Sequence, residues 1–200
     1  MNDLKNWMQR KGIFHMLFLC IILSACEKEI GRKVQSTGIY YDVAGFLDQQ
    51  VPLLDSLGPG VEKVVEADGI KEEQRIALDS VGWAKELEMF YRADINDPIL
   101  RDAYEKTQSE EGTHKIVTYK AKESSVKVHW LQITYRNNAV THIAARIQED
   151  NVLYKAKSLI ELDFDDKHEP PLLMRYSIQQ SQKILFKDTV FYSVEGRLNW

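Results

Sequence analysis

VKVHWLQITYRNNAVTHIAARIQEDNVLYKAKSLIELDF, residues 126–164, decides the fold. Apolar and polar side chains alternate along it with a period of two, the period of a half-buried strand. The alternation pauses at Asn137-Asn138 and at Asp150-Asn151, residue types that tolerate tight turns. Links this short force three neighbouring antiparallel strands. A turn also sets register, and register sorts side chains by face. Turning at Asn137-Asn138 places Trp130 opposite Ala145 and Val128 opposite Ile147. Turning at Asp150-Asn151 places Ile147 opposite Tyr154 and Ala145 opposite Ala156. One face then collects Val126, Val128, Trp130, Ile143, Ala145, Ile147, Val152, Tyr154, Ala156, Ile160 and Leu162. The other is mixed: Leu131, Ile133, Tyr135, Val140, His142 and Leu159 near the Asn pair, then a row of His129, Arg146 and Lys155 with Lys127 and Lys157 beside it.

Downstream and upstream the same period continues, giving six expected strands at 115–122, 126–136, 140–149, 152–164, 172–186 and 189–198. Before them, residues 61–78 read as a hairpin around Asp68-Gly69, a strong two-residue turn signal. Closing it sets Glu66 against Lys71, Glu62 against Arg75 and Val61 against Ile76; the two charged pairs have opposite sign, which supports the register.

Helical spacing marks three further segments. Asp42 can cap a helix carrying Phe46, Leu47, Leu53, Leu54 and Leu57, ended by Gly58-Pro59-Gly60, with a kink or split expected near Gln49 from Pro52. Ser80 can cap a second with Trp83, Leu87, Phe90 and Tyr91 on one face. Asp97-Pro98 opens a third short one with Ile99, Leu100, Ala103 and Tyr104, and 108–112 reads as a polar loop. The expected architecture is α+β: N-terminal helices with an inserted β-hairpin, packed on a curved antiparallel meander of about six strands. The helices should cover the face of Trp130, Ile147 and Tyr154, leaving His129, Arg146 and Lys155 accessible as a ligand or anion surface.

The start of the chain reads differently. Lys5, Arg10 and Lys11 precede an apolar run over 13–23 that is broken only by His15. That run is about half of the ~20 residues needed to span a bilayer, so it has the form of an export signal. It ends in Leu23-Ser24-Ala25-Cys26, which resembles the lipobox of bacterial lipoproteins. The resemblance implies cleavage before Cys26 and a diacylglyceryl thioether on its sulfur. It divides the chain into a signal (1–25), a lipidated tether (26–38) and one α+β domain (39–200). The implied address is the bacterial cell envelope, held to the outer membrane through the lipid, on its periplasmic or its surface face. Glu27-Lys28-Glu29 is similar to the surface-export signals of Bacteroidota lipoproteins, and helices followed by a meandering sheet resemble envelope lipoproteins of that group in outline.

Composition narrows the function classes. Hydrophobic residues make up 44% of the chain, in the globular range. The first 25 residues hold three cations and one acid, so removing them takes the net charge from -4 to -6, which repels nucleic acid. Of the two cysteines, Cys20 lies in the signal and Cys26 is the attachment residue, leaving no thiol for a disulfide, zinc site or nucleophile. The cluster Asp163, Asp165, Asp166, His168 and Glu169 fits neither a calcium loop nor a zinc spacing. There is no G-x-S-x-G, H-E-x-x-H, P-loop or G-x-G-x-x-G, and no cofactor is expected. The expectation is a non-enzymatic binding or assembly module for an envelope protein or a surface polymer. A carrier or sensor of a hydrophobic ligand on a half-barrel-like sheet is the second reading, and a hydrolase assembled from distant residues the third.

Overall fold

Asp42 caps α1 (Val43–Leu57), its carboxylate accepting the Gly45 amide, and Gly58 ends the helix in the left-handed conformation at φ 59°. These elements come from a computed structural model, which describes residues 38–200. Cys26, the signal reading and all but the last residue of the tether reading lie outside the described residues. Within them, no helix is long and apolar enough to cross a membrane.

The expected break at Pro52 does not occur: α1 runs through it. Proline deprives the Asp48 carbonyl of its helical donor, but Pro52 and Asp48 are both exposed, so solvent can take the freed acceptor. The buried face is Val43, Leu47, Gln50 and Leu54, spaced by three and four. Gln50 is fully buried and satisfied. Its amide donates to the Pro171 carbonyl at 2.8 Å and its oxygen accepts the Leu173 amide, clamping the helix to the sheet.

The hairpin follows as β1 (Gly60–Ala67) and β2 (Ile70–Ala77), with the expected register: Val61 opposite Ile76, Glu62 opposite Arg75, Glu66 opposite Lys71. Arg75 reaches Glu62 at 2.8 Å. Next come α2 (Ser80–Glu86) and α3 (Glu88–Tyr91), with Trp83, Leu87 and Phe90 fully buried and Tyr91 half-buried. The cap of α2 is Asp79 rather than Ser80, its carboxylate accepting the Gly82 amide at 2.8 Å. Asp97-Pro98 opens only a single 3-10 turn, Pro98–Leu100.

Tyr104 does not continue a helix. It begins β3 (Tyr104–Glu111), which absorbs most of the stretch read as a loop. Then come β4 (His114–Ala121), β5 (Val128–Arg136), β6 (Ala139–Asp150), β7 (Tyr154–Asp165), β8 (Leu172–Ile184) and β9 (Thr189–Asn199). All nine strands form one open antiparallel sheet in the order β2-β1-β9-β8-β7-β6-β5-β4-β3. Two features of the expected architecture are thereby corrected. The strands number nine rather than about six, because the hairpin joins the sheet edgewise on β9 instead of packing on it, and because β3 forms the far edge. The helices are not an N-terminal block either, since α2 and α3 lie between β2 and β3.

Register explains which side chains meet the helices. The Asn137-Asn138 turn forms as read, both residues at positive φ, with Arg136 opposite Ala139. Two bulges then intervene. Thr141 is an extra residue on β6, and His129 is an extra residue on β5 that restores the original phase, so Val128 does face Ile147. Between the bulges pairing is displaced by one: Leu131 lies opposite Ala145 and Ile133 opposite Ile143. Leu131 and Ile133 are therefore fully buried, whereas Trp130, opposite Arg146, is only half-buried. The expectation for Trp130 is reversed.

At the next connection the register differs by four. Asn151 forms a turn with its own side chain, accepting the amides of Leu153 and Tyr154, so Ile147 meets Ser158 and Ala145 meets Ile160. An even displacement preserves the faces. Ile147, Ile160 and Leu162 are buried as expected, and Tyr154, at the strand end, is half-buried.

The core lies between the helices and this one face of the sheet, with Leu47, Leu54, Trp83, Phe90, Leu131, Ile133, Ile143 and Ile160 among its members. Glu86 on α2 ties the layers together, accepting the Tyr176 hydroxyl at 2.6 Å and pairing with Lys63 of β1. The Tyr176 ring lies directly over Gly196 of β9, where a Cβ would come within 2.0 Å of it.

Candidate functional site

The face of the sheet turned away from the helices is hollowed into a groove of about 920 Å³ reaching from β5 to β1. Its side chains come in rows set by register. One row runs Trp130, Arg146, Leu159, Gln179, Ser193 and Glu66; the next holds Gln148, Lys157, Ser181 and Phe191. Neighbouring strands lie about 4.8 Å apart, so the span from β6 to β1 is about 19 Å measured along the sheet. The floor is Ser177, Gln179, Ser181 and Ser193, groups that both donate and accept.

The two walls differ in charge. Toward β6 and β7 stand Arg146 and Lys157, both exposed; toward β1 stand Glu66 and Asp68. Among the described residues, Arg146, Lys157 and His129 have no polar partner within the chain. Cations on a concave surface focus their field into it and are available to a ligand.

One end of the groove is braced by a ladder of ions across four strands. His142 Nδ1 lies 2.7 Å from Asp163; Arg175 donates to Asp163 at 3.0 Å and to Glu195 at 2.9 Å; Arg197 donates to Glu195 at 2.8 Å. The hydrogen bond from His142, with help from Arg175, holds the Asp163 carboxyl below its ordinary range despite partial burial. Arg175, then Arg197, do the same for Glu195. Both carboxylates are thus committed to fixing Arg175, whose guanidinium lines the groove.

The sequence-derived row is placed in part. His129 and Arg146 line the groove together, His129 as the bulge residue beside Arg146. Lys155 does not join them. The four-residue displacement at the β6–β7 turn carries it to the strand end, opposite Asp150, which it meets at 2.8 Å. Lys157 takes its place in the groove, and Arg175 is a member that sequence reading missed. Its signal would have been the opposite-charge partners Asp163 and Glu195 on flanking strands, visible only once register is known.

The acidic cluster before Pro170-Pro171 is dispersed among separate tasks. Asp163 belongs to the ladder, Asp166 binds Arg136, and Asp165 accepts the Lys167 amide. Among the described residues, no group of three or more His, Cys, Asp or Glu side chains is arranged to hold a metal ion. His168 and Glu169 border a second, apolar groove of about 540 Å³ formed by Leu53, Leu57, Leu172, Met174 and Trp200 at the opposite end of the sheet from Asp68-Gly69. No family model, no curated protein and no solved structure matches this chain, so its site is read from its own residues.

Proposed function

We propose that the chain is an envelope lipoprotein anchored through Cys26, and that its folded part is a non-enzymatic binding module whose site is the helix-free groove. One observation carries the reading. The groove is large and concave, with Ser and Gln along its floor, and the Arg146 and Lys157 side chains stand on its wall with no partner among the described residues. Unpaired cations beside a floor of Ser and Gln suit an extended polar chain, a surface polymer or a protein segment, that presents an anionic group to the β6–β7 wall. On the groove face the large apolar side chains are Leu159 and Phe191, which disfavours a purely hydrophobic cargo.

Calorimetric titration of residues 27–200 with a polyuronate oligosaccharide and with an acidic peptide tests the site. One of these probes should bind, more weakly as salt rises, and Arg146→Ala with Lys157→Ala should weaken it about tenfold or more. Failure of both probes, or binding indifferent to the double variant, would refute the groove. The anchor is tested separately. Mass spectrometry of the mature N-terminal peptide should show an acylated cysteine, and a Cys26→Ser chain that is still cut at the same bond and stays in the membrane would refute it.

A further inference from the structure

Three hairpin tips stand side by side at one end of the sheet. They join β1 to β2, β8 to β9 and β6 to β7, and the strand order β2-β1-β9-β8-β7-β6 makes them neighbours along an edge of about 24 Å. All three expose large apolar side chains: Ile70 on the first, Val152 and Leu153 on the third, and Ile184, Leu185, Phe186, Val190 and Phe191 on or next to the second. Phe186 is 97% exposed. It sits at φ 62°, a conformation that bulky residues rarely adopt and that here forms the apex of the tip. The tips are also joined: the Leu185 amide donates to the Leu153 carbonyl at 2.9 Å, and the Asp68 amide donates to the Phe191 carbonyl at 3.2 Å. Scattered single hydrophobics are ordinary on a surface, but a contiguous row on linked tips marks an interaction surface.

We infer that this row of tips docks on a lipid surface, standing the sheet upright on the membrane. Charge does not lead the contact, since Lys155, Lys183 and Lys187 are offset by Asp68, Asp150 and Asp188 close by. Insertion of apolar side chains into the interfacial layer does. The inference rests on the lipid-anchored reading in one respect. Residues 27–37 span at most about 40 Å, which keeps the folded part within reach of the bilayer and makes tip insertion effectively intramolecular. The groove then opens at membrane level, because Asp68, Gly69 and Phe191 belong both to the tip region and to the groove lining. A second copy is a poorer occupant. The apolar groove able to receive a tip lies at the other end of the sheet, so such contacts would be head-to-tail and would not form a two-fold dimer, the commonest closed assembly.

The test is co-sedimentation of residues 27–200, which contain the whole described sheet and core but no lipid, with vesicles of phosphatidylethanolamine and a minor share of phosphatidylglycerol. The parent chain should pellet with lipid. Leu153→Ser, Leu185→Ser and Phe186→Ser together should reduce partitioning about tenfold or more with an unchanged melting curve, and Phe186→Asp alone should reduce it measurably. Arg146→Ala with Lys157→Ala should leave it intact, which separates failure of the tips from failure of the groove. The inference is overturned if the parent stays in the supernatant, if the triple variant pellets like the parent, if the groove variant is the one that lets go, or if the parent forms lipid-independent oligomers that the triple variant cannot.

Discussion

The β1–β2 and β5–β6 hairpins were both legible as two strands around a two-residue turn, and both turns form where the residues put them, at positive φ on Asp68-Gly69 and Asn137-Asn138. Beyond the turn they part. The β1–β2 ladder keeps one register through eight pairs, whereas the β5–β6 ladder shifts twice by one residue. The difference lies in what each strand has to bury. In β1–β2 only Val61 is fully buried, Ile76 opposite it packs on the same core, and the seam with β9 holds the remainder, so a single apolar phase suffices. In and just before β5 the apolar side chains occupy both phases, Val126 and Val128 in one, Leu131, Ile133 and Tyr135 in the other. No uninterrupted strand can bury both sets against the helices. A bulge at His129, compensated at Thr141, turns both sets inward, and Trp130 is put out to the groove side. A turn therefore fixes register only as far as the next change of hydrophobic phase.

The sharpest way to break this contrast is to truncate one residue of each phase. Leu131→Ala removes a fully buried side chain and should cost about 2–5 kcal/mol. Trp130→Ala should cost well under half as much despite the larger deletion, because Trp130 is only half-buried and shares the helix-free face with Arg146. Urea melts of the two variants decide it, and a larger loss for Trp130→Ala would mean the bulges are absent. A smaller effect comes at the turns. Asn138→Ala and Gly69→Ala each force alanine to positive φ, 67° and 82°, and should each cost about 1 kcal/mol or somewhat more. If only one of them does, the two hairpins are not closed by equivalent turns.

Acid should separate the regions again. Asp163 and Glu195 have carboxyls held below their ordinary values of 3.8 and 4.5, so their contribution is present above those values and lost as pH falls through the lower, folded-state ones. Melting temperature should accordingly fall on acidification below about pH 4, and Arg175→Met should flatten that fall. An unchanged acid profile in Arg175→Met would show that the ladder does not couple the four strands. The smallest effect belongs to the pair that best revealed its own register. Arg75 is 86% exposed on its side chain, and Arg75→Ala should cost no more than about 0–1 kcal/mol. A loss larger than that would mean the edge hairpin depends on the pair and not on its seam with β9.

The candidate site was legible to the extent that its register was. Reading the Asp150-Asn151 link as the turn kept the faces right, since the true displacement is four and even, and so Arg146 and Lys157 fell on the free face. The same displacement moved Lys155 out of the row, because position along a strand, unlike its face, is sensitive to every residue of loop length. β3 was hidden for another reason. Seven of its eight residues are exposed, so YEKTQSEE carries no alternation to read, and its strand character comes from pairing with β4.

By itself the sequence determined what neighbours in the chain can enforce: the helix cap at Asp42, the stop at Gly58, the turns at Asp68-Gly69 and Asn137-Asn138, the alternation of β4 to β9, and the lipobox-like run ending at Cys26. Each rests on dihedral preference, hydrogen bonds within a few residues or hydropathy along a segment. Only the tertiary structure decided that the hairpin extends the sheet at β9, that two bulges exchange Trp130 for Leu131, and that Arg175 joins Arg146 and Lys157 in one groove. Those outcomes depend on which strands compete for one covering layer of helices and on register summed over several loops. Both are properties of the assembled sheet that no single segment carries.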